Sequence, residues 1–278
     1  MAEQLACVMA IVNRTPDSFY DRGATFAVDK AVERAGRAIA DGAGIIDIGG
    51  VKAGPGDEVD PAEEIRRVVP VIAAVRAAHP GVTLSVDTWR AQVAEAAIEA
   101  GADLINDTWA GFDPQLVEVA GAAGVGYVCS HTGGAVPRTR PHRVRYDDVV
   151  ADVIRETTAL AERAVHLGVP AEKVFIDPTH DFGKNTYHGL EILRRVDELV
   201  ATGWPVLMAL SNKDFVGETV GRGVEERVAG TLAATAWAAA RGVAAFRVHQ
   251  VRETVDVIRM TAAIAGAAPP LHTVRGLA

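Results

Sequence analysis

Eight short apolar runs, each closing on polar residues and each followed by a longer amphipathic stretch, leave this chain few ways to fold. The runs are Ala6–Asn13, Gly44–Gly50, Thr83–Thr88, Asp103–Thr108, Gly126–His131, Val174–Pro178, Val206–Ser211 and Ala245–Gln250. Short continuous apolar runs read as strands buried on both faces, the kind found in parallel sheets. The segments between them read as crossover helices. Leu190, Leu193, Val196 and Leu199 share one face of a helix predicted over Leu190–Val200, with charges opposite. Eight such units predict an α/β fold closed into a (β/α)8 TIM barrel, one domain over residues 1–278. An open doubly wound sheet fits less well, because no Gly-rich dinucleotide fingerprint follows the first run.

The long connections all follow strands: Arg14–Thr25, Val51–Asp60, Thr132–Asp147, Thr179–His188 and Asn212–Glu225. Returns such as Ala100-Gly101-Ala102 are short. The asymmetry points to a site at the C-terminal mouth, where barrel enzymes carry theirs. A net charge of −8 argues against a nucleic-acid footprint. Two isolated cysteines, Cys7 and Cys129, exclude a thiolate zinc cage and suit a reducing cytoplasm. The start, Met1-Ala2-Glu3-Gln4, has neither basic region nor apolar stretch, so neither a signal peptide nor a membrane span is expected.

The strand ends hold the chemistry. They carry Asn13, Asp47, Asp87, Asn106 with Asp107, His131, Asp177, Ser211 with Lys213, and Arg247 with His249. Any one acid here can be a helix cap. Convergence of so many polar ends is harder to explain by capping, since buried charges need partners and a ligand is one such partner. Two carboxylates and an amide suit a flat heterocycle with N–H edges. A lysine can donate to its carbonyl or ring nitrogen, and an arginine can stack on its face. Arg247 and His249, followed by a helix start, make an anion site. Asn13 precedes the turn-forming run Thr15-Pro16-Asp17-Ser18-Phe19 and can help hold a metal-bound diphosphate. Mg2+ needs few protein ligands when phosphate oxygens supply the rest.

Several motifs fall in order along the chain: Asn13-Arg14-Thr15-Pro16-Asp17-Ser18-Phe19, Ser85-Val86-Asp87-Thr88, Ile105-Asn106-Asp107, Asp177-Pro178 through Phe182-Gly183-Lys184, Ser211-Asn212-Lys213 and Arg247-Val248-His249. Together they resemble the dihydropteroate synthase family, from the first strand to the last helix. The resemblance implies a barrel that binds a pterin diphosphate with Mg2+ and joins it to the amine of p-aminobenzoate, releasing diphosphate. Carried over by position, Asp87, Asn106, Asp177 and Lys213 would bind the pterin, with Phe182 beside it. Arg247 would stack on the pterin and, with His249, face the diphosphate. Asn13 would contact diphosphate and Mg2+. Asp87, Lys213, Arg247 and His249 are the residues implied in catalysis, Asp87 by stabilising the cationic carbon left as diphosphate departs. The resemblance also implies a homodimer. The Ala-rich segment Gly230–Arg241, with Trp237, would pack on the barrel or across that dimer.

The chain departs from the pattern on the second-substrate side. Where the family's second loop reads Gly-Gly-Glu-Ser-Thr-Arg-Pro-Gly, this chain has Gly49-Gly50-Val51-Lys52-Ala53-Gly54-Pro55-Gly56. The family's Ser-Arg-Lys-Ser ends here in Asp214, its Met-His-Met is Ser130-His131-Thr132, and a Gly-rich stretch becomes Thr179, His180 and Asp181. An Arg lost and Asp214 gained shift the local charge by two units against an anionic acceptor. Like charges about 4 Å apart repel by roughly 4 kcal/mol at an effective dielectric near 20. Lys52 or the fifth loop, with Arg138, Arg140, His142, Arg143 and Arg145, can restore positive charge; a simply solvated basic loop is the plainer reading of the fifth loop.

Three functions follow: a working synthase or a variant with another acceptor, a non-catalytic pterin-binding paralogue, or a folate-binding methyltransferase barrel. No cobalamin-binding module accompanies the last. His131, His180, His188 and Asp181 lack the i, i+4 spacing of a zinc enzyme. Trp89 and Trp109 are expected near the mouth, as pocket wall or rim cover.

Overall fold

The computed structural model describes residues 5–13, 28–139 and 145–275. The Thr15–Phe19 turn, and Arg140, His142 and Arg143 of the fifth loop, lie outside the described residues. In chain order the elements are β1 (Cys7–Asn13), α1 (Val28–Ala40), β2 (Ile45–Gly49), α2 (Pro61–Ala78), β3 (Thr83–Asp87), α3 (Ala91–Glu99), β4 (Leu104–Asp107), α4 (Leu116–Ala123) and β5 (Gly126–Ser130). They continue with α5 (Val149–His166), β6 (Val174–Asp177), α6 (Thr186–Arg194), α7 (Val196–Val200), β7 (Leu207–Met208), α8 (Asp214–Val220), α9 (Val228–Ala239), β8 (Ala245–Val248) and α10 (Val251–Ile264). Each of the eight apolar runs contains one strand.

All pairings are parallel, in the order β6-β5-β4-β3-β2-β1-β8-β7. The ring closes between β6 and β7 through the parallel bridge Ile176 to Val206, with Ile176 N donating to Pro205 O at 2.9 Å. This is a TIM barrel. Its weakest seam is at β7, a strand of only two residues.

Period-two alternation divides the strand residues between two cores. One set faces the helices, among them Val8, Ala10, Ile46, Ile48, Leu84 and Phe246, and packs on helix residues such as Ile72, Val75 and Ile258. The other set fills the barrel: Met9, Ile45, Leu104, Val128, Leu207 and Ala245 form a separate apolar cluster. One step further along the same inward rows the chemistry turns polar, to Asp47, Ser85, Asn106 and Arg247. The barrel therefore has an apolar plug below and a polar mouth above.

The segment predicted as one helix over Leu190–Val200 is two. The apolar stripe is buried as its spacing required, with Val196 and Leu199 both at 0 % exposure. The helix breaks at Arg195, whose backbone (φ −109°, ψ 26°) leaves helical values. Its guanidinium bridges Asp148 at 2.9 and 3.0 Å and Glu198 at 2.7 and 2.9 Å, tying the start of α5 to α7.

Candidate active site

One network spans the barrel at the level where the interior turns polar. Asp47 is fully buried on β2. Its Oδ1 accepts from Ser85 Oγ at 2.6 Å, and its Oδ2 from Asn106 Nδ2 at 3.2 Å and Arg247 Nε at 2.6 Å. Arg247 Nη2 donates to Asp87 Oδ2 at 2.6 Å, and Asp87 Oδ1 accepts from Thr108 Oγ1 at 2.7 Å. Strands β2, β3, β4 and β8 and the loop after β4 thus meet in one network, with the guanidinium fork between its two acids. A buried carboxylate is tolerated when donors surround it, and here each acid has at least two. Burial raises the Asp87 carboxyl, offset by Arg247. The two carboxylates hold the Arg247 guanidinium protonated, against the effect of burial.

A cavity of about 680 Å³ opens above this network. Asn13, Asp87, Phe182, Lys213, Arg247 and His249 all line it, as the sequence predicts for a common mouth. Asn106 and Asp177 are buried beside the cavity and do not line it. Asn106 reaches the network through Asp47. Asp177 accepts from Thr179 N at 2.7 Å, and burial lifts its carboxyl to about 6, opposed by the nearby Lys213 and Lys184. Lys213 Nζ lies 4.8 Å from the Phe182 ring centroid, a cation–π distance. Burial lowers its ammonium, and Asp181 is the first of the carboxylates resisting that.

His249 lies against Ser211, with Nδ1 and Oγ 2.9 Å apart. Ser211 Oγ donates to Gln250 Oε1 at 3.0 Å. Its one proton being spent there, the imidazole must donate through Nδ1. Burial and Arg247 push His249 down to about 3, so the ring is neutral. Asn13 Oδ1 and Asp87 Oδ2 flank Gly49: a Cβ there would come within 3.3 Å of the first and 3.8 Å of the second. Among the described residues no group of three or more acidic, His or Cys side chains can cage a metal. The donor set is one amide oxygen beside a committed carboxylate. It fits a hard cation held mainly by substrate oxygens and water.

Several residues take other roles than their strand-end position implies. Asp107 turns away from the mouth: it accepts from Tyr127 Oη at 2.6 Å, Gly111 N at 2.6 Å and Trp109 N at 3.1 Å, and shapes the loop after β4. Burial raises it to about 6. His131 pairs through Nε2 with Asp152 at 2.9 Å, and burial lowers it to about 4. Trp109 is cavity wall, in edge contact with Phe182 at 5.0 Å, while Trp89 packs behind it at 6.4 Å.

One unit of the expected two-unit charge shift on the second-substrate side, that of Asp214, is offset by Arg227, a cavity residue that the strand-end pattern does not reveal. Its Nη1 donates to Asp214 Oδ1 and Asn212 O, each at 2.9 Å, so the charge of Asp214 is matched within the chain. Arg227 stands at the N-terminal edge of α9, outside every motif, and nothing in the sequence marks it. Lys184, recognised only as part of a motif, donates to the carbonyls of His131, Phe182 and Thr179 at 2.8, 3.0 and 3.3 Å and fastens the sixth loop to β5. Lys52 lines the cavity; Arg138 of the basic loop lies against Gly56, which brings the fifth loop to the second.

Residues 9–249 match the protein family described as pterin binding enzyme. A Mycobacterium leprae protein named inactive dihydropteroate synthase 2 is 64% identical over 98% of this chain and 94% of its own length. A Streptococcus pyogenes dihydropteroate synthase is 37% identical over 91% of this chain and 93% of its own. Among solved structures, Xanthomonas albilineans dihydropteroate synthase with 4-aminobenzoic acid superposes with a TM-score of 0.85 at 40% identity, covering 94% of each chain.

Proposed function

The chain belongs to the pterin-binding enzyme family, as a divergent relative of dihydropteroate synthase, and from that premise we propose that its mouth binds 6-hydroxymethyl-dihydropterin diphosphate and transfers the pterin to an arylamine. The observation that carries this reading is the Asp47–Arg247–Asp87 network beneath the cavity. It presents rigid polar groups to a flat, edge-polar ring. Lys213 and the deeper Asp177 and Asn106 would complete the pterin contacts, with Phe182 on its flank. With its fork engaged by two carboxylates, Arg247 is fixed in orientation, which suits stacking. His249 and Arg247 would face the diphosphate.

The reaction that follows forms one bond and breaks another. The amine nitrogen attacks the exocyclic methylene carbon, and the carbon–oxygen bond to diphosphate breaks with its electron pair on oxygen. The amine proton passes to solvent. Asp87 has each oxygen fixed by a donor, so it offers negative charge to the developing carbocation without needing to reorganise. Mg2+, held by Asn13 and substrate oxygens, would neutralise the leaving group.

A second reading, a pterin-binding paralogue without the standard p-aminobenzoate activity, is supported by the rebuilt rim and by the name of the Mycobacterium leprae relative. Titration of the protein with pterin diphosphate and Mg2+ by calorimetry tests what the two readings share. Diphosphate release on adding p-aminobenzoate separates them: turnover supports the synthase, and binding without turnover supports the paralogue. A homodimer is supported by Trp237 on α9 and by Met260 and Ile264 on α10, all exposed; sedimentation equilibrium checks it. A cytoplasmic setting is supported by the two free cysteines. Among the described residues no helix is long and apolar enough to cross a membrane.

A further inference from the structure

Building on the arylamine-transfer reading, we propose that Asp181 is a specificity-determining residue that turns carboxylates away from the acceptor subsite, so that the acceptor is a neutral arylamine. Asp181 occupies a left-handed backbone conformation (φ 69°), as does Thr179 (φ 51°). Glycine adopts this region at no steric cost, whereas other residues are strained there. The family pattern has a Gly-rich stretch at this point. The strain has a counterpart in what the side chain does. Its carboxylate accepts from Asp214 N at 2.5 Å and Phe215 N at 3.3 Å, spanning from the sixth loop to the seventh. It lines the cavity together with Lys213, Asp214 and Arg227.

Among the described residues, the cations that line this side of the cavity are already engaged by the chain. Arg227 serves Asp214 and the Asn212 carbonyl, and Lys184 serves three carbonyls. Lys213 lies within the field of Asp181 and Asp177. Lys52 is not free either. Gly54 stands where the family pattern has Arg. An entering carboxylate therefore meets the negative charge of Asp181, that of Asp214 being matched by Arg227, and must displace a partner the chain already supplies to each of these cations. A neutral ring substituent meets no such repulsion, and an amide N–H can donate to either acid.

The test loads the protein with pterin diphosphate and Mg2+, follows that step by calorimetry, and then titrates 4-aminobenzamide and 4-aminobenzoate separately. The amide is expected to bind at least about tenfold more tightly, a difference of roughly 1.4 kcal/mol. Asp181→Asn keeps an oxygen for the Asp214 N–H but removes the charge, and should bring the two affinities within about threefold of each other. Asp181→Gly, which suits the backbone, should do the same and serves if the Asn variant fails to fold. Three results overturn the proposal: benzoate binding as tightly as benzamide, an unchanged ratio in a folded Asp181 variant, or no binding of either amine to the loaded protein. Failure at the loading step instead removes the pterin-transfer reading, and this proposal with it.

Discussion

The barrel floor and the acceptor rim use the same residue types to opposite ends. On the floor, Arg247 is held between Asp47, which is 0 % exposed, and Asp87, all within the strand rows. At the rim, Arg227 meets an Asp214 whose side chain is 69% exposed. Ser85, Asp87, Asn106 and Arg247 of the floor fall within the motifs that resemble the family, whereas the rim is where the chain departs from them. The difference teaches that a buried charge network constrains its residues jointly, because removing one member strands the others. At the rim Asp214 stands largely in water, which can replace its partner, so substitution of that acid is tolerated, while the Arg227 side chain is as enclosed as that of Arg247.

Breaking the floor should therefore have the largest effect. Arg247→Ala leaves two carboxylates without their cation, one of them, Asp47, fully buried. Such a loss is expected to cost about 3–5 kcal/mol of folding stability. Arg247→Lys should recover part of that, since it restores charge without the fork that reaches both acids. Urea denaturation of the three proteins reads the order directly. A loss below about 1 kcal/mol for the Ala variant would show that the floor behaves as a surface pair does.

The sixth loop joins the two regions, and its buried His180 gives the next effect. Burial presses this imidazole down to about 3 from an ordinary 6.5. The unfolded chain therefore takes up a proton near pH 6.5 that the folded protein refuses. Stability from this group is complete above about pH 6.5 and is lost as pH falls toward 3, by at most roughly 1.4 kcal/mol per pH unit. His180→Phe keeps a ring against Phe215, 5.1 Å away, and removes the proton site. At pH 5 it should be more stable than the parent by up to about 2 kcal/mol, with the gain shrinking toward pH 7.5. A gain independent of pH would assign the effect to packing alone.

Asp177 lies under the ligand side of the floor. With its carboxyl lifted to about 6, it is largely protonated at pH 5 and ionised at pH 7. By the same linkage its favourable share of stability is complete below the ordinary value of 3.8 and gone above about 6, the reverse of His180. If the ionised acid receives a pterin N–H, affinity for pterin diphosphate should rise up to about tenfold between pH 5 and pH 7. Asp177→Asn should be weaker at pH 8 and flat across that range, as read by calorimetry.

Much of the floor was legible in the sequence because strands are periodic. Inward positions repeat every two residues, so Arg247 and His249 had to share a direction, and the ends of eight runs had to converge. The rim offered no such rule. Asp214 is read as unmatched charge until the fold brings Arg227 to it across the seventh connection. In the sequence Asp181 stands out as a departure from a Gly-rich stretch and as a weak metal candidate; its left-handed backbone and its bonds to Asp214 and Phe215 are properties of a loop. Asp107 sits at a strand end like the others, yet its parity aims it outward at Tyr127. The break at Arg195 is invisible to the apolar stripe, which both short helices continue to satisfy.

The smallest effect should come from the rim pair. Asp214→Ala removes the exposed partner of Arg227 and leaves the guanidinium its bond to Asn212 O. The backbone N–H of residue 214 keeps its bond to Asp181. Exposed ion pairs contribute about 0–1 kcal/mol, so the urea midpoint should barely move. That remainder should shrink further at about 1 M salt, where the screening length is roughly 3 Å. Arg247→Ala should keep most of its cost under the same salt, because Asp47 is fully buried and buried pairs are screened much less. A salt-insensitive loss in Asp214→Ala as large as that of Arg247→Ala would erase the distinction between floor and rim.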